Sequence, residues 1–342
     1  MLEWERVAWE NRHRMSGVAE QAGQRRRAAW VDAARVLGIF FICQVHSAAA
    51  PGNLVASAGA LCMFFVLAGY FNAGKELKAS LLRSLLFIAA YSFWSIMENG
   101  LSREGVDFSI GSMAHSLVYA PFSMWFIKYL AVLLPLGSLI SRLPQWVKLV
   151  LAAVLLACTY TVEPVLETVP LTCERMVSVN NYPSYVLFLY LCGDVLRVVS
   201  LPELPGRLFP VLWRHRRCAM LCSGLMLAAM VAASHCTTVN FQEPVLLLGV
   251  AWLLLFFSHS LSGNFPRLTA CAAAVGPAVF LVYMSNALVI RVFTSAYIRC
   301  FGDYPGATLC NLFCVGFIIA CAVAYRLMAG RSRILDAVLF AR

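Results

Sequence analysis

Apolar residues run through this chain in long uninterrupted stretches, without the alternating or short periodic patterns of a soluble fold. Ten runs stand out, at roughly 30–49, 54–73, 80–97, 122–141, 146–162, 183–200, 216–234, 243–262, 269–293 and 305–328. Each is near the ~20 residues that a helix needs to cross a bilayer. The pattern predicts an all-α integral membrane protein of about ten transmembrane helices. Residues 30–330 form the polytopic domain, between an N-terminal tail over 1–29 and a C-terminal tail over 331–342.

The first run departs most from pure hydrocarbon. It reads WVDAARVLGIFFICQVHS from Trp30 to Ser47, with Asp32, Arg35 and His46 set among apolar neighbours. Ionisable groups at membrane depth are costly and usually functional. On a helix, the eleven residues from Arg35 to His46 make about three turns and rise roughly 16 Å. The two side chains therefore share a face at different depths, with Asp32 one turn before Arg35.

Composition agrees with a membrane protein: 61% of the 342 residues are hydrophobic and 13% are charged, too few charges for a soluble domain of this size. With a cytoplasmic N-terminus, the inner segments carry 21 Lys and Arg, and the outer loops carry Arg103, Arg175 and Arg299. That asymmetry places both termini in the cytoplasm. It also accounts for the net charge of +10 through topology and attraction to anionic lipid, without nucleic acid. The first 29 residues hold acids and Arg25-Arg26-Arg27 and read as a cytoplasmic tail, not a cleaved signal peptide. Thirteen cysteines are scattered singly. Cys173, Cys236 and Cys300 fall in or beside outer loops, where a disulfide is open but its pairing cannot be read from sequence.

No internal repeat is evident, and the two halves show no matched pair of Gly/Pro-broken helices of the kind that marks inverted-repeat transporters. The longest outer loops, roughly 98–121 and 163–182, carry Glu98, Glu163, Glu167 and Glu174. The inner stretch Leu201–Arg217 reads as a linker. No His/Cys/carboxylate cluster with metal-ligand spacing is present, so no metal is expected. No phosphate-binding glycine loop is present either.

Three motifs in chain order carry a resemblance. Arg35, ten intervening residues and His46 are similar to the Arg-x10-His signature of the acyltransferase-3 family of integral membrane O-acyltransferases. FFVLAGYF (Phe64 to Phe71) resembles that family's FFxLSGF element, with Ala68 in place of Ser and Gly69 kept. SMWFIKYLAVLLPL (Ser123 to Leu136) resembles its WFL-plus-basic helix through Trp125, Phe126 and Lys128. Two departures exist. The Arg-x-x-Arg pair entering the third helix is reduced to Ser80 and Arg83, and a Tyr-x-x-His ending is replaced by Tyr283-Met284-Ser285-Asn286, with Asn286 left as the hydrogen-bonder.

The resemblance implies transfer of an acyl group, commonly acetyl from acetyl-CoA, to a hydroxyl of an envelope glycan or lipid-linked saccharide at a cell inner membrane. The partners are then acyl-CoA, the glycan acceptor and membrane lipid. Arg35, Lys75, Lys78 and Arg83 are the expected cations for the CoA phosphates. His46 is the expected general base or acyl carrier, and Lys128 the expected oxyanion stabiliser. Trp125 and Glu98 are placed on the acceptor side, Trp125 by stacking and Glu98 also as an acidic partner for His46. Asp32 is expected to orient Arg35, and Gly69 to let the second helix approach the first. Another class fits the same charges: a transporter passing an organic anion or protons along Arg35, His46 and Lys128. A third reading makes them helix glue.

Overall fold

In a computed structural model the chain is described over residues 29–46, 51–102, 105–106, 109–118, 124–162, 182–198, 215–236, 243–332, 336 and 339. Residues 1–28, most of the C-terminal tail 331–342, the loop 163–182 except Tyr182, most of the linker 201–217 and Cys173 lie outside the described residues. The described chain is almost wholly helical. In order, α1 is Ala29–His46, α2 Pro51–Asn72, α3 Leu77–Gly100, α4 Ile110–Val118, α5 Trp125–Ile140, α6 Gln145–Thr161, α7 Pro183–Val198, α8 Arg216–Cys236, α9 Pro244–Asn264, α10 Pro266–Val275, α11 Val279–Phe301 and α12 Ala307–Met328. A two-residue antiparallel pair, Leu101–Ser102 with Gly105–Val106, follows α3.

Among the described residues, six stretches are long and apolar enough to cross a membrane: α1, Leu54–Asn72 of α2, α3, α9, Pro266–Phe301 and α12. Three more, Trp125–Ile140, Gln145–Thr161 and Arg217–Ala232, are apolar but shorter. Large apolar side chains such as Leu82, Trp146, Leu225 and Leu312 point outward, a surface suited to lipid and not to water. The protein is membrane-embedded.

The expected single helix over 269–293 is broken. A 3-10 turn, Gly276–Ala278, separates α10 from α11, because Pro277 has no N–H to donate and its ring clashes with the preceding turn. Likewise the expected outer loop 98–121 contains a helix, α4. In α5, Pro135 frees the carbonyl of Ala131, and the Ser84 hydroxyl of α3 donates to it, so this acceptor is not orphaned at depth.

Helix α2 is the centre post: 67% of its apolar window is buried inside the protein, against 28% for α12. Its closest neighbour is α7. A Cβ on Gly69 would lie 1.9 Å from the Tyr190 carbonyl oxygen, and one on Gly193 would lie 2.0 Å from that of Val66. Gly69 therefore does bring two helices together, but the partner is α7, not α1 as its sequence position implied. Such small-residue contacts let backbones pack where lipid offers no hydrophobic drive.

Polar groups stitch the same region. Asn72 Nδ2 donates to the Leu134 carbonyl at 2.8 Å and to Tyr190 Oη at 2.7 Å. Ser80 Oγ donates to Asn72 Oδ1 at 3.2 Å, and Ser138 Oγ to Ser80 Oγ at 2.5 Å. Between α6 and α7, Lys148 Nζ lies 2.6 Å from Asp194 Oδ2, with both side chains almost fully enclosed.

Two outcomes follow for stability in detergent. Gly69→Ala and Gly193→Ala each force backbone apart and should cost about 1–3 kcal/mol or more, read as a drop in the melting temperature of the solubilised protein. Lys148→Met should cost about 3–5 kcal/mol by leaving Asp194 charged and alone, and adding Asp194→Leu should recover most of the loss. A double variant no more stable than Lys148→Met would show that the pair's charge is not the cause.

Candidate functional site

The site is built on α1, which carries ionisable side chains at both ends. At the Arg35 end, Arg35 Nη1 lies 3.6 Å from Asp32 Oδ1, the pairing that the sequence predicted. Asp32 tucks beneath the 3-10 turn, where a Cβ on Gly276 would lie 2.6 Å from its carboxyl carbon. The break in α10–α11 and the lack of a side chain at Gly276 thus make room for the carboxylate that holds Arg35.

Three more cations converge here. Arg83 of α3 and Arg35 are within electrostatic range of each other. The guanidinium of Arg35 sits 5.9 Å from the Phe71 ring centroid and that of Arg83 6.0 Å from Phe87, cation–π placements that keep both near apolar walls. Lys75 is delivered by a turn at Gly74, whose φ of +72° only glycine adopts without strain. Arg197 of α7 packs against that same glycine. Burial, and then the charges of Arg83 and Arg197, hold the Lys75 ammonium below its usual 10.5.

These cations open onto a cavity of about 320 Å³ lined by Arg35, Lys75 and Arg83 and walled by aromatic rings, among them Phe64, Phe71, Phe87 and Phe280. Pockets of this size, mostly apolar with a few charged groups, are typical ligand sites. Its far end is a ceiling of rings: Phe64 to Phe126 at 5.9 Å and Phe126 to Tyr283 at 5.3 Å between centroids. Phe64 is seated over Gly38, where a Cβ would be 3.3 Å from its ring. His46 lies eight residues beyond Gly38, about 12 Å further along the helix. The cavity therefore reaches from Arg35 toward His46 but stops short of it.

The His46 end has its own polar group. Gln44 Nε2 donates to Asn311 Oδ1 at 2.7 Å, fixing α1 to α12. Arg291 of α11 is the cation that acts electrostatically on His46. Its Nη2 donates to Glu98 Oε1 of α3 at 3.3 Å, with Glu98 4% exposed and Arg291 33% exposed. Glu98 in turn acts on Tyr283 in the ceiling.

The predicted residues thus divide. Asp32, Arg35, Lys75 and Arg83 come together at the cavity. Glu98 is buried and ion-paired with Arg291, not a solvated loop acid. Lys78 and Lys128 are exposed and do not line the cavity, although Ile127 beside Lys128 does. Trp125 is buried among Phe65, Phe126 and Tyr129 and likewise stays out of the cavity lining. Asn286 spends its amide donor on the Tyr283 carbonyl. Cys300 is exposed and unpaired, and the side chains of Cys173 and Cys236, the other cysteines in or beside the outer loops, lie outside the described residues. Arg291 and Arg197 were the functional candidates that sequence reasoning passed over. The signal for Arg291 was present: a lone cation inside the run 269–293.

Mutual repulsion at the cavity mouth has a sign that can be checked. Because the folded state lowers the Lys75 proton affinity, the unfolded chain binds more protons below 10.5, and stability rises with pH through that window. Lys75→Gln should melt higher than wild type at pH 7 without ligand, with the gain shrinking as pH approaches 10.5. A variant melting lower than wild type at pH 7 would show that Lys75 is held by attraction.

Compared with protein-family models, with curated proteins and with solved structures, the chain matches none.

Proposed function

We propose that this chain is an integral membrane O-acyltransferase that crosses a cell inner membrane about ten times with both termini cytoplasmic. It takes an acyl group, acetyl in the first instance, from cytosolic acyl-CoA to a hydroxyl of an envelope glycan or lipid-linked saccharide. One observation carries the reading: a cavity whose mouth bears Arg35, Lys75 and Arg83 and whose walls are aromatic. CoA is a polyanion with a long neutral arm, and this cavity offers cations outside and apolar rings within. The resemblance in Arg35-x10-His46 and in Phe64 to Phe71 supports the same chemistry.

The residues divide the work. Arg35, oriented by Asp32, and Arg83 bind phosphate oxygens by charge-assisted hydrogen bonds, with Lys75 and Arg197 adding field. His46 accepts the proton of the acceptor hydroxyl while its oxygen bonds to the thioester carbonyl carbon. The C–S bond then breaks, and the proton passes from His46 to the departing thiolate. General-base help of this kind is worth roughly 10²–10⁴-fold. Transfer also requires the Phe64–Phe126–Tyr283 ceiling to part, since it lies between the cavity and His46.

A second reading draws on the broken α10–α11. A discontinuous helix lining a cavity is a common way to hold a transported anion, and an organic-anion transporter would use the same cations. The two readings differ in what becomes of the ligand. Purified protein incubated with radiolabelled acetyl-CoA should release or transfer acetyl. His46→Ala should lower turnover by at least roughly 10²-fold at unchanged CoA binding, and Arg35→Ala should weaken CoA binding about tenfold. Binding without thioester consumption, together with uptake of an anion into proteoliposomes, would make the transporter reading the correct one.

A further inference from the structure

Acyl transfer passes through an oxyanion, and a membrane active site must supply a donor aimed at it. The sequence nominated Lys128, which is exposed and stays out of the cavity lining. At the depth of His46, a different cation is held in place. Asp32 packs against Gly276, and His46 and Arg291 follow them by 14 and 15 residues along α1 and α11, which brings both to one depth. Arg291 is the cation that acts on His46, and Glu98 at the end of α3 accepts a hydrogen bond from its Nη2 at 3.3 Å. A guanidinium has five N–H donors in a rigid fork, so the single bond to Glu98 anchors it and leaves other donors for a second ligand. Glu98 is sealed, 4% exposed, whereas Arg291 remains 33% exposed. The anchor is inside, and the arginine it holds is partly open. The neighbouring Gln44–Asn311 bond clamps α1 beside it, which holds His46 in register with Arg291.

We infer that Arg291 is a catalytic residue of the acyl transfer, donating hydrogen bonds to the oxyanion that forms when the acceptor hydroxyl attacks the thioester carbonyl beside His46, and that Glu98 is its positioning residue. The inference rests on the acyltransferase reading. The carbonyl π electrons move to oxygen as the new C–O bond forms, the charge is held by Arg291, and it returns as the C–S bond breaks. Arg291 gains and loses no proton. A fixed donor costs no reorganisation at the moment of reaction, and removing one such donor lowers turnover by roughly 10²–10³-fold.

A structural ion pair and a catalytic one separate under a double substitution. R291Q takes the Arg291 ion pair from the buried Glu98, so it should lower both the melting temperature and kcat. The E98Q/R291Q double variant leaves no buried charge alone and should recover the melting temperature. In the acetyl-CoA assay its kcat should nevertheless stay roughly 10²–10³-fold below wild type, with KM for acetyl-CoA within about twofold, because the CoA phosphates bind at the other end. If R291Q does not fold, the double variant carries the same test. R291K, which keeps a charged donor but not the fork, should retain more turnover than R291Q. A double variant with wild-type kcat would overturn the role of Arg291 while leaving the acyltransferase reading standing. Wild-type protein that consumes no acyl-CoA would overturn both.

Discussion

The constraint on which this molecule depends is that a charge inside hydrocarbon needs a partner on the protein. Lys148 meets Asp194 between α6 and α7, Arg291 meets Glu98 between α11 and α3, and Arg35 meets Asp32 within α1. Each pair also fixes geometry, because a carboxylate and a cation that meet at depth leave little freedom to the helices that carry them. The same rule governs the neutral groups. Asn72, Ser80, Ser138 and Tyr190 complete one another's hydrogen bonds across α2, α3, α5 and α7, and Ser84 answers the carbonyl released by Pro135. Close backbone contact at Gly69 and Gly193 brings α2 and α7 near enough for these bonds to form.

Set against that rule, the mouth of the cavity is the exception. Arg83 and Arg197 both act on Lys75 as like charges, and Arg83 acts on Arg35 in the same sense. Like charges held together oppose folding, so sites of this kind persist where an anion completes them. The cluster is also sited where both sources of order meet. Gly74 turns Lys75 toward Arg197, and the 3-10 turn at Gly276 shelters the carboxylate that steadies Arg35. The cation cluster thus sits at the breaks in the helices, not along their regular runs.

Much of the helical plan was legible in the sequence, because apolar runs of bilayer length leave few alternatives. The Asp32–Arg35 pair followed from helical spacing alone. Other features depend on which face a residue presents once helices pack, and that is a tertiary fact. Lys128 and Ile127 are neighbours in sequence, yet Ile127 lines the cavity and Lys128 is exposed. Gly69 carries the mark of a close contact but not the identity of its partner, which proved to be α7. Lys148 reads in sequence as one more positive-inside residue, and only its enclosure beside Asp194 separates it from a snorkelling lysine. Glu98 and Arg291 are far apart in the chain, so neither announces the other.

The distance between the two charged ends is what any mechanism must negotiate. Arg35 and His46 stand about 16 Å apart on one helix, and the Phe64–Phe126–Tyr283 layer closes the space between them. A transporter would need this layer to open wide enough for a hydrated or charged ligand, exposing Glu98 and Arg291 to it. An acyltransferase needs far less: a narrow, neutral thioester arm passing between rings while the phosphates remain with the cations. Aromatic side chains that shift by rotamer changes allow the second movement without parting the helices. On the proposed reading, the apolar ceiling would also keep water from a thioester that had passed it. An aromatic layer set between a cationic mouth and a neutral ion-paired site therefore favours passage of a chemical group over passage of a whole anion.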